Sequence, residues 1–201
     1  MNAPRHQHDV KTEACRHQVR QHAGRLALEH HALELGNGVA APELAERTLL
    51  SGRGAVGVFA REQRFVDSLS QRSRYLRFQH HLPQLTPAML ERFTQLDYDR
   101  ELALVAVDPA SGEFLGVGRY APNADGTSAE FALTIADTWQ RKGIGGVLLE
   151  RLCTSARAAG YGELVGYVLA ENRDMLALAE HLGFVHRARD GDAAVVVRRL
   201  D

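Results

Sequence analysis

The segment Thr134-Ile-Ala-Asp-Thr-Trp-Gln-Arg-Lys-Gly-Ile-Gly-Gly-Val-Leu-Leu149 concentrates the residue types that do chemistry. A strand-like run enters a turn holding Arg141, Lys142, Gly143 and Gly145, and an apolar helical pattern starts at once at Ile144. The first N–H groups of a helix have no partners inside it, and the helix dipole places partial positive charge there. Glycine at 143 and 145 lets the backbone approach a ligand with no Cβ in the way. A strand–turn–helix of this kind binds phosphate, and Arg141 and Lys142 add charge. It points to a pyrophosphate-bearing cofactor. The plain alternative is a solvated turn with two glycines.

Other motifs carry less. The P-loop pattern G-x-x-x-x-G-K-[ST] is absent. Gly52-Arg-Gly54-Ala-Val-Gly57 fits G-x-G-x-x-G, but no strand precedes it and a strand-like run follows it, so it reads as coincidence. His6, His8, His17, His22, His30 and His31 crowd the first residues without a Cys or carboxylate to complete a zinc spacing, and no metal is expected. The two cysteines, Cys15 and Cys153, cannot make a disulfide framework. Cys153 reads as a small core residue of a helix. Asp97, Tyr98, Asp99 and Glu101 form an acidic cluster that would draw a cationic amine or simply be a solvated loop.

The elements that must position the glycine turn follow from period and punctuation. The chain changes character near Gly52: residues 1–51 read as an N-terminal extension, helical or partly disordered, with helical patterns over Val10–Leu35 and Pro42–Leu50. Residues 52–201 read as one α/β domain. Ala55–Phe59 is a short strand candidate; Glu62–Leu69 and Ser73–Phe78 look helical. Thr86-Pro87 starts a helix reaching about Leu96, with Thr at N-cap and Pro at N1. Leu102–Val107 and Glu113–Tyr120 form a hairpin about an Asp-Pro-Ala-Ser-Gly turn, and Ala129–Ala136 is the strand feeding the glycine loop. Ile144, Val147, Leu148 and Leu152 mark a helix stripe ending before Gly160. Leu164–Leu169 is a buried-looking strand, Asn172 caps a helix stopped by Gly183, and Phe184–His186 and Ala193–Leu200 close the chain.

Gln140-Arg-Lys-Gly143-Ile144-Gly145 fits the Q/R-x-x-G-x-G/A coenzyme A motif, and with its strand before and helix after it resembles the GNAT N-acetyltransferase superfamily. Asn172-Arg-Asp-Met-Leu-Ala-Leu-Ala-Glu-His-Leu-Gly183-Phe184 looks like that family's asparagine-led helix ending in Leu-Gly-Phe. Ser73-Arg-Tyr-Leu-Arg-Phe78, Arg92-Phe-Thr-Gln-Leu-Asp-Tyr-Asp-Arg-Glu101 and Ala129-Glu-Phe-Ala132 resemble the acetyltransferase domain of bacterial Pat-type protein lysine acetyltransferases. The resemblance covers about residues 60–201, with no counterpart of the acyl-CoA synthetase-like region fused to that domain in Pat-type proteins. It implies a GNAT fold, a mixed and mostly antiparallel sheet flanked by helices, and acetyl-CoA as co-substrate.

The resemblance also implies roles. Glu130 maps onto the general base. From strand pattern alone, Glu130 is equally a solvated residue at a strand start, although it shares a face with Ala132 and Thr134 while Phe131, Leu133 and Ile135 share the other. Backbone groups of Leu133 and Ile135, where their strand splays from that of Val165, would take the pantetheine arm. Gln140, Arg141, Lys142, Gly143, Ile144 and Gly145 would hold the pyrophosphate, and Trp139 would be an anchor beside it. Asn172 would lie near pantetheine, be a plain N-cap, or both. Many family members carry a Tyr general acid in the last helix; Ala179 stands there, leaving a side-chain acid in doubt. The family's opening strand and turn are also shortened here.

The implied function is acetyl transfer to a primary amine, foremost protein lysine Nε. Acetylation of a polyamine or antibiotic is the enzyme alternative, and a non-catalytic acyl-CoA sensor the alternative of another class. Composition narrows partners. Lys plus Arg is 24, Asp plus Glu 25 and the net charge -1, which gives no global basic field for nucleic acid or anionic membrane. No run approaches the roughly 18 apolar residues of a membrane span, and the opening residues hold no apolar signal region. A cytoplasmic protein, monomeric or homodimeric, is the expectation.

Overall fold

After Gly54, buried side chains recur at Val58, Glu62, Phe65 and Val66, with Leu69 just beyond. That spacing is helical, and the computed structural model has one helix, α1, over Ala55–Ser68. The strand expected at Ala55–Phe59 is therefore corrected: the β-branched Val58 opens a buried stripe that runs on to Leu69, and burial of the stripe outweighs local propensity. The structure describes residues 55–201 except Gln95, Tyr98 and Pro109. The extension, its two expected helices and its histidines lie outside the described residues.

Two short helices follow. In α2 (Gln71–Phe78), Ser70 is the N-cap and its Oγ accepts from Ser73 N at 3.1 Å. In α3 (Pro87–Thr94), Thr86 Oγ1 accepts from Met89 N at 3.2 Å, as the Thr-Pro pair predicts, and the helix stops two residues short of Leu96. Then come β1 (Leu102–Val107), β2 (Phe114–Pro122), β3 (Ser128–Ile135), α4 (Ile144–Ala158), β4 (Glu163–Leu169), α5 (Arg173–His181), β5 (Val185–Asp190) and β6 (Ala193–Arg199). The six strands form one sheet in the order β1-β2-β3-β4-β6-β5. Only β3 and β4 run parallel; the other neighbours are antiparallel.

The sheet separates two cores. On one face Leu104, Ala106, Tyr120 and Phe131 lie with Leu148, Leu149 and Leu152 of α4 and Ala179 of α5. On the other, Val105, Phe114 and Val117 meet Phe65, Val66 and Leu69, with Phe78 and Phe93 packed against them. This second core contains a buried ion pair: Arg119 Nη2 donates to Glu62 Oε1 at 2.7 Å, with side chains 13% and 6% exposed. The same guanidinium lies 4.3 Å from the Phe93 ring centroid.

Strands β3 and β4 pair over three positions only: Ser128 with Glu163, Ala129 with Leu164 and Glu130 with Val165. Immediately beyond, the Phe131 ring presses on the backbone of Gly166, where an added Cβ would lie 2.5 Å from Phe131 Cζ. Phe184 holds that ring from another side, centroids 5.2 Å apart. Gly166→Ala is expected to destabilise the fold by about 1–3 kcal/mol, read as a lower urea midpoint. Adding Phe131→Leu should return part of it. An unchanged midpoint in the single variant would show that the ring is free to move.

Candidate active site

The open edge of β3 follows from hydrogen-bond parity. Ala136 N donates to Leu115 O at 2.9 Å, continuing a register that pairs Thr134 with Val117 and Ala132 with Arg119. Glu130, Ala132 and Thr134 thus turn their backbone groups to β2, whereas Leu133 and Ile135 turn theirs toward β4. Since β4 has diverged by then, Leu133 and Ile135 offer an unpaired edge able to take an extended polar chain. The Ile135 carbonyl also accepts from Gln140 Nε2 at 3.1 Å.

Past β3, a short 3-10 turn (Asp137–Trp139) leads to Arg141 at φ 60° and Gly143 at φ 87°. Gly143 is the N-cap of α4, and no side chain caps the helix. An added Cβ at Gly143 would meet nothing within 4 Å, so glycine serves the left-handed conformation there and open space remains above it. Gly145 has another reason: a Cβ would lie 3.2 Å from Leu178 Cδ2 and 3.6 Å from Leu133 Cδ2. It lets α4 close onto β3 and α5. Ile144 is buried and faces the turn through its backbone alone. Arg141 and Lys142 are exposed, and Lys142 Nζ sits 4.5 Å from the Trp139 ring centroid. The side chain of Gln140, an exposed residue, donates to Ile135 O and Ser73 Oγ.

Asn172 is the N-cap of α5: its Oδ1 accepts from Met175 N at 3.2 Å. Ala179 is fully buried. No proton donor comes from that position.

Glu130 is exposed at the last position where β3 and β4 pair. It lies on the sheet face that carries α1, α2 and α3, since it shares its parity with Thr134 and its register with Ala121. On the same face Arg77 of α2 lines a pocket with Glu62, Arg119 and Thr134. Burial and the nearby Arg119 charge push the Arg77 pKa down to about 10, opposed by the carboxylates of Glu62 and Glu130. Arg77 remains a cation at neutral pH. Between Glu62, Arg77, Phe93, Arg119 and Thr134 is a cavity of about 10 Å³, which is the room of one water. Thr134 Oγ1 is buried there without a protein partner.

Sequence reasoning missed a cluster that joins the two sides of this site. The Asp137 carboxylate accepts from Ser70 N (2.9 Å), Ser70 Oγ (2.7 Å) and Ser73 Oγ (2.8 Å). Partial burial raises the Asp137 pKa, but these hydrogen bonds outweigh it and leave the carboxyl below its usual range. No local spacing signals the cluster, because its halves are far apart in sequence. Part of the acidic cluster that sequence did single out is committed locally. Glu101 forms a two-pronged pair with Arg92 at 2.7 and 2.8 Å, and Asp97 Oδ1 accepts from Asp99 N. Among the described residues, no three His, Cys, Asp or Glu side chains are grouped to hold a metal.

A sheet parted beside an open strand edge, followed by an uncapped glycine turn on a helix, is the architecture of a coenzyme A-dependent acyltransferase. Residues 66–184, more than half the chain, match the acetyltransferase (GNAT) family, and the chain belongs to that family. It is 34% identical over 142 residues to an acetyltransferase of Pseudomonas aeruginosa, covering 70% of this chain and 76% of that one. It is 31% identical over 133 residues to the acetyltransferase Pat of Mycolicibacterium smegmatis, covering 66% of this chain but only 39% of Pat. The crystal structure of the GNAT domain of S. lividans PAT superposes with a TM-score of 0.67 at 27% identity, covering 72% of this chain and 86% of that one. The yncA structure from Salmonella typhimurium, with its cofactor acetyl-CoA, shares the fold at a TM-score of 0.56 and 18% identity, over 76% of this chain and 91% of that one. The chain is thus an acetyltransferase of the GNAT family.

Gly143→Ala is expected to cost about 1–2 kcal/mol through the left-handed backbone alone, with no clash to relieve. Thermal unfolding would show the loss, and coenzyme A titration a weaker affinity. Unchanged stability and affinity together would mean that the turn can be remade without positive φ.

Proposed function

We propose that this chain transfers the acetyl group of acetyl-CoA to a primary amine, foremost the Nε amine of protein lysines in the cytoplasm, with Glu130 as general base. The observation that carries the reading is the place of Glu130. It is a solvent-open carboxylate at the point where β3 and β4 part, at the start of the unpaired edge. A lysine amine has a pKa near 10.4 and is protonated at neutral pH. Glu130, directly or through a water, takes that proton. The freed amine attacks the thioester carbonyl, an N–C bond forms, the C–S bond breaks with sulfur leaving as thiolate, and the nitrogen gives its second proton to water as the amide forms. Backbone groups of Leu133 and Ile135 orient the pantetheine arm and its carbonyl. Arg141, Lys142 and the N–H groups from Gly143 to Gly145 hold the pyrophosphate. With alanine at 179 the leaving thiolate, whose pKa is about 8.5, takes its proton from water. The lysine preference is supported by the likeness to Pat of Mycolicibacterium smegmatis and to the GNAT domain of S. lividans PAT.

The test incubates the protein with labelled acetyl-CoA and host cytosol beside a Glu130→Gln sample. Label should appear on protein lysines, and the variant should lose about 100-fold or more of turnover while keeping its coenzyme A affinity. Label in the small-molecule filtrate instead would move the acceptor to a small amine. No label above the variant in either fraction would sink the enzyme reading and leave a coenzyme A sensor.

A further inference from the structure

Helix α2 lies over the parted strands and has no fully buried residue, its main apolar anchor being Phe78, packed against the core. Polar ties fix it at both ends. At its N-terminus, Ser70 and Ser73 donate to Asp137, in the turn that follows β3. At its C-terminus, Gln79 Nε2 donates to the carbonyl of Tyr167 in β4 at 2.9 Å. The helix is therefore strung between one strand of the cleft and the other. Its N-terminal tie continues into the coenzyme loop, because Ser73 Oγ accepts from Gln140 Nε2 at 3.2 Å and Gln140 also holds the Ile135 carbonyl. Every donor of this knot has a carboxylate, hydroxyl or carbonyl to meet. Near the other end of α2 is Arg77, whose charge acts on Glu130.

We propose that Asp137 is a positioning residue for acetyl transfer: by clasping Ser70 and Ser73 it fixes α2, the helix that carries Arg77, to the loop that receives the coenzyme. The proposal rests on the function argued above for Glu130, and Asp137 itself touches neither amine nor thioester. The carboxylate makes the clasp strong, since hydrogen bonds to an ionised acceptor are roughly twice as strong as neutral ones. Ordering the loop around a bound coenzyme orders the acceptor side through the same knot. A misplacement of about 1 Å at a reacting centre is enough to cost on the order of a hundredfold in rate.

The experiment has a kinetic and an exchange arm, both on the full chain. Asp137→Ala should lower kcat with an amine acceptor by about 10- to 100-fold, with KM for acetyl-CoA changing far less. Asp137→Asn, which keeps one acceptor oxygen, should recover part of the loss. In a Ser70→Ala/Ser73→Ala background, Asp137→Ala should add little, since the partners it serves are gone. Additive losses would overturn the proposal. In the exchange arm, adding coenzyme A to the unaltered chain should slow amide exchange both at the start of α4 and across α2. In Asp137→Ala the slowing should survive at α4 and vanish in α2. Slowing of α2 that persists in the variant, or that never occurs in the unaltered chain, overturns the clasp. If exchange behaves as expected but Glu130→Gln keeps full turnover, the base assignment fails and the clasp stands.

Discussion

Everything at this site depends on β3 and β4 being partners for three residues and no more. Backbone N–H and C=O groups are obligatory hydrogen-bonding groups, and a strand edge inside a sheet does not stay unpaired without a reason. Here the ladder ends where the Phe131 ring packs against the Gly166 backbone, with Phe184 behind it. The groups of Leu133 and the Ile135 N–H that a longer ladder would have consumed are left to a ligand, while the Ile135 carbonyl is met by Gln140. The parallel pair is also the natural place for such a gap, because its strands are joined through α4 and not by a tight turn that would hold them in register.

The two faces of the sheet divide the labour. The face under α4 and α5 is apolar and closely packed, and small residues let the helix descend: a Cβ at Gly118 would already lie 3.1 Å from Leu152 Cδ1. That face fixes where the N-terminus of α4 points. The opposite face holds charge. Glu62 and Arg119 are paired in the core, Phe93 stacks beneath the Arg119 guanidinium, and Arg77 lies beyond. Removing one partner of such a pair would strand the other in a poorly solvating place. The acid-base side therefore has a fixed electrostatic floor, while α2 above it is attached by polar ties.

How far the sequence could be read depended on the range of the interactions. The helix caps at Thr86 and Asn172, the β1–β2 hairpin and the glycine turn are set within a few residues, and each was legible. So were the sheet type and the alternation that puts Glu130 and Thr134 on one face. The Ala55–Phe59 segment misled because five residues resemble a strand until the stripe from Val58 to Leu69 is followed to its end. Gly145 was legible as a glycine requirement but not for its cause, which lies in Leu178 of another helix. Asp137 with Ser70, and Glu62 with Arg119, were illegible: each joins elements more than fifty residues apart, and no periodicity encodes such a pair. Arg77 was visible within a family-like segment without a role, since its importance comes from what the fold sets opposite it.

One feature of the turn has an optical consequence. Trp139 is the only tryptophan in the chain. Its half-exposed ring carries the Lys142 ammonium against its face. A cation over an indole perturbs its excited state, and an anion arriving at the turn competes for that cation. The tryptophan emission of the whole protein is thus a report from a single place, the rim of the coenzyme loop, and follows the position of one lysine without any added dye.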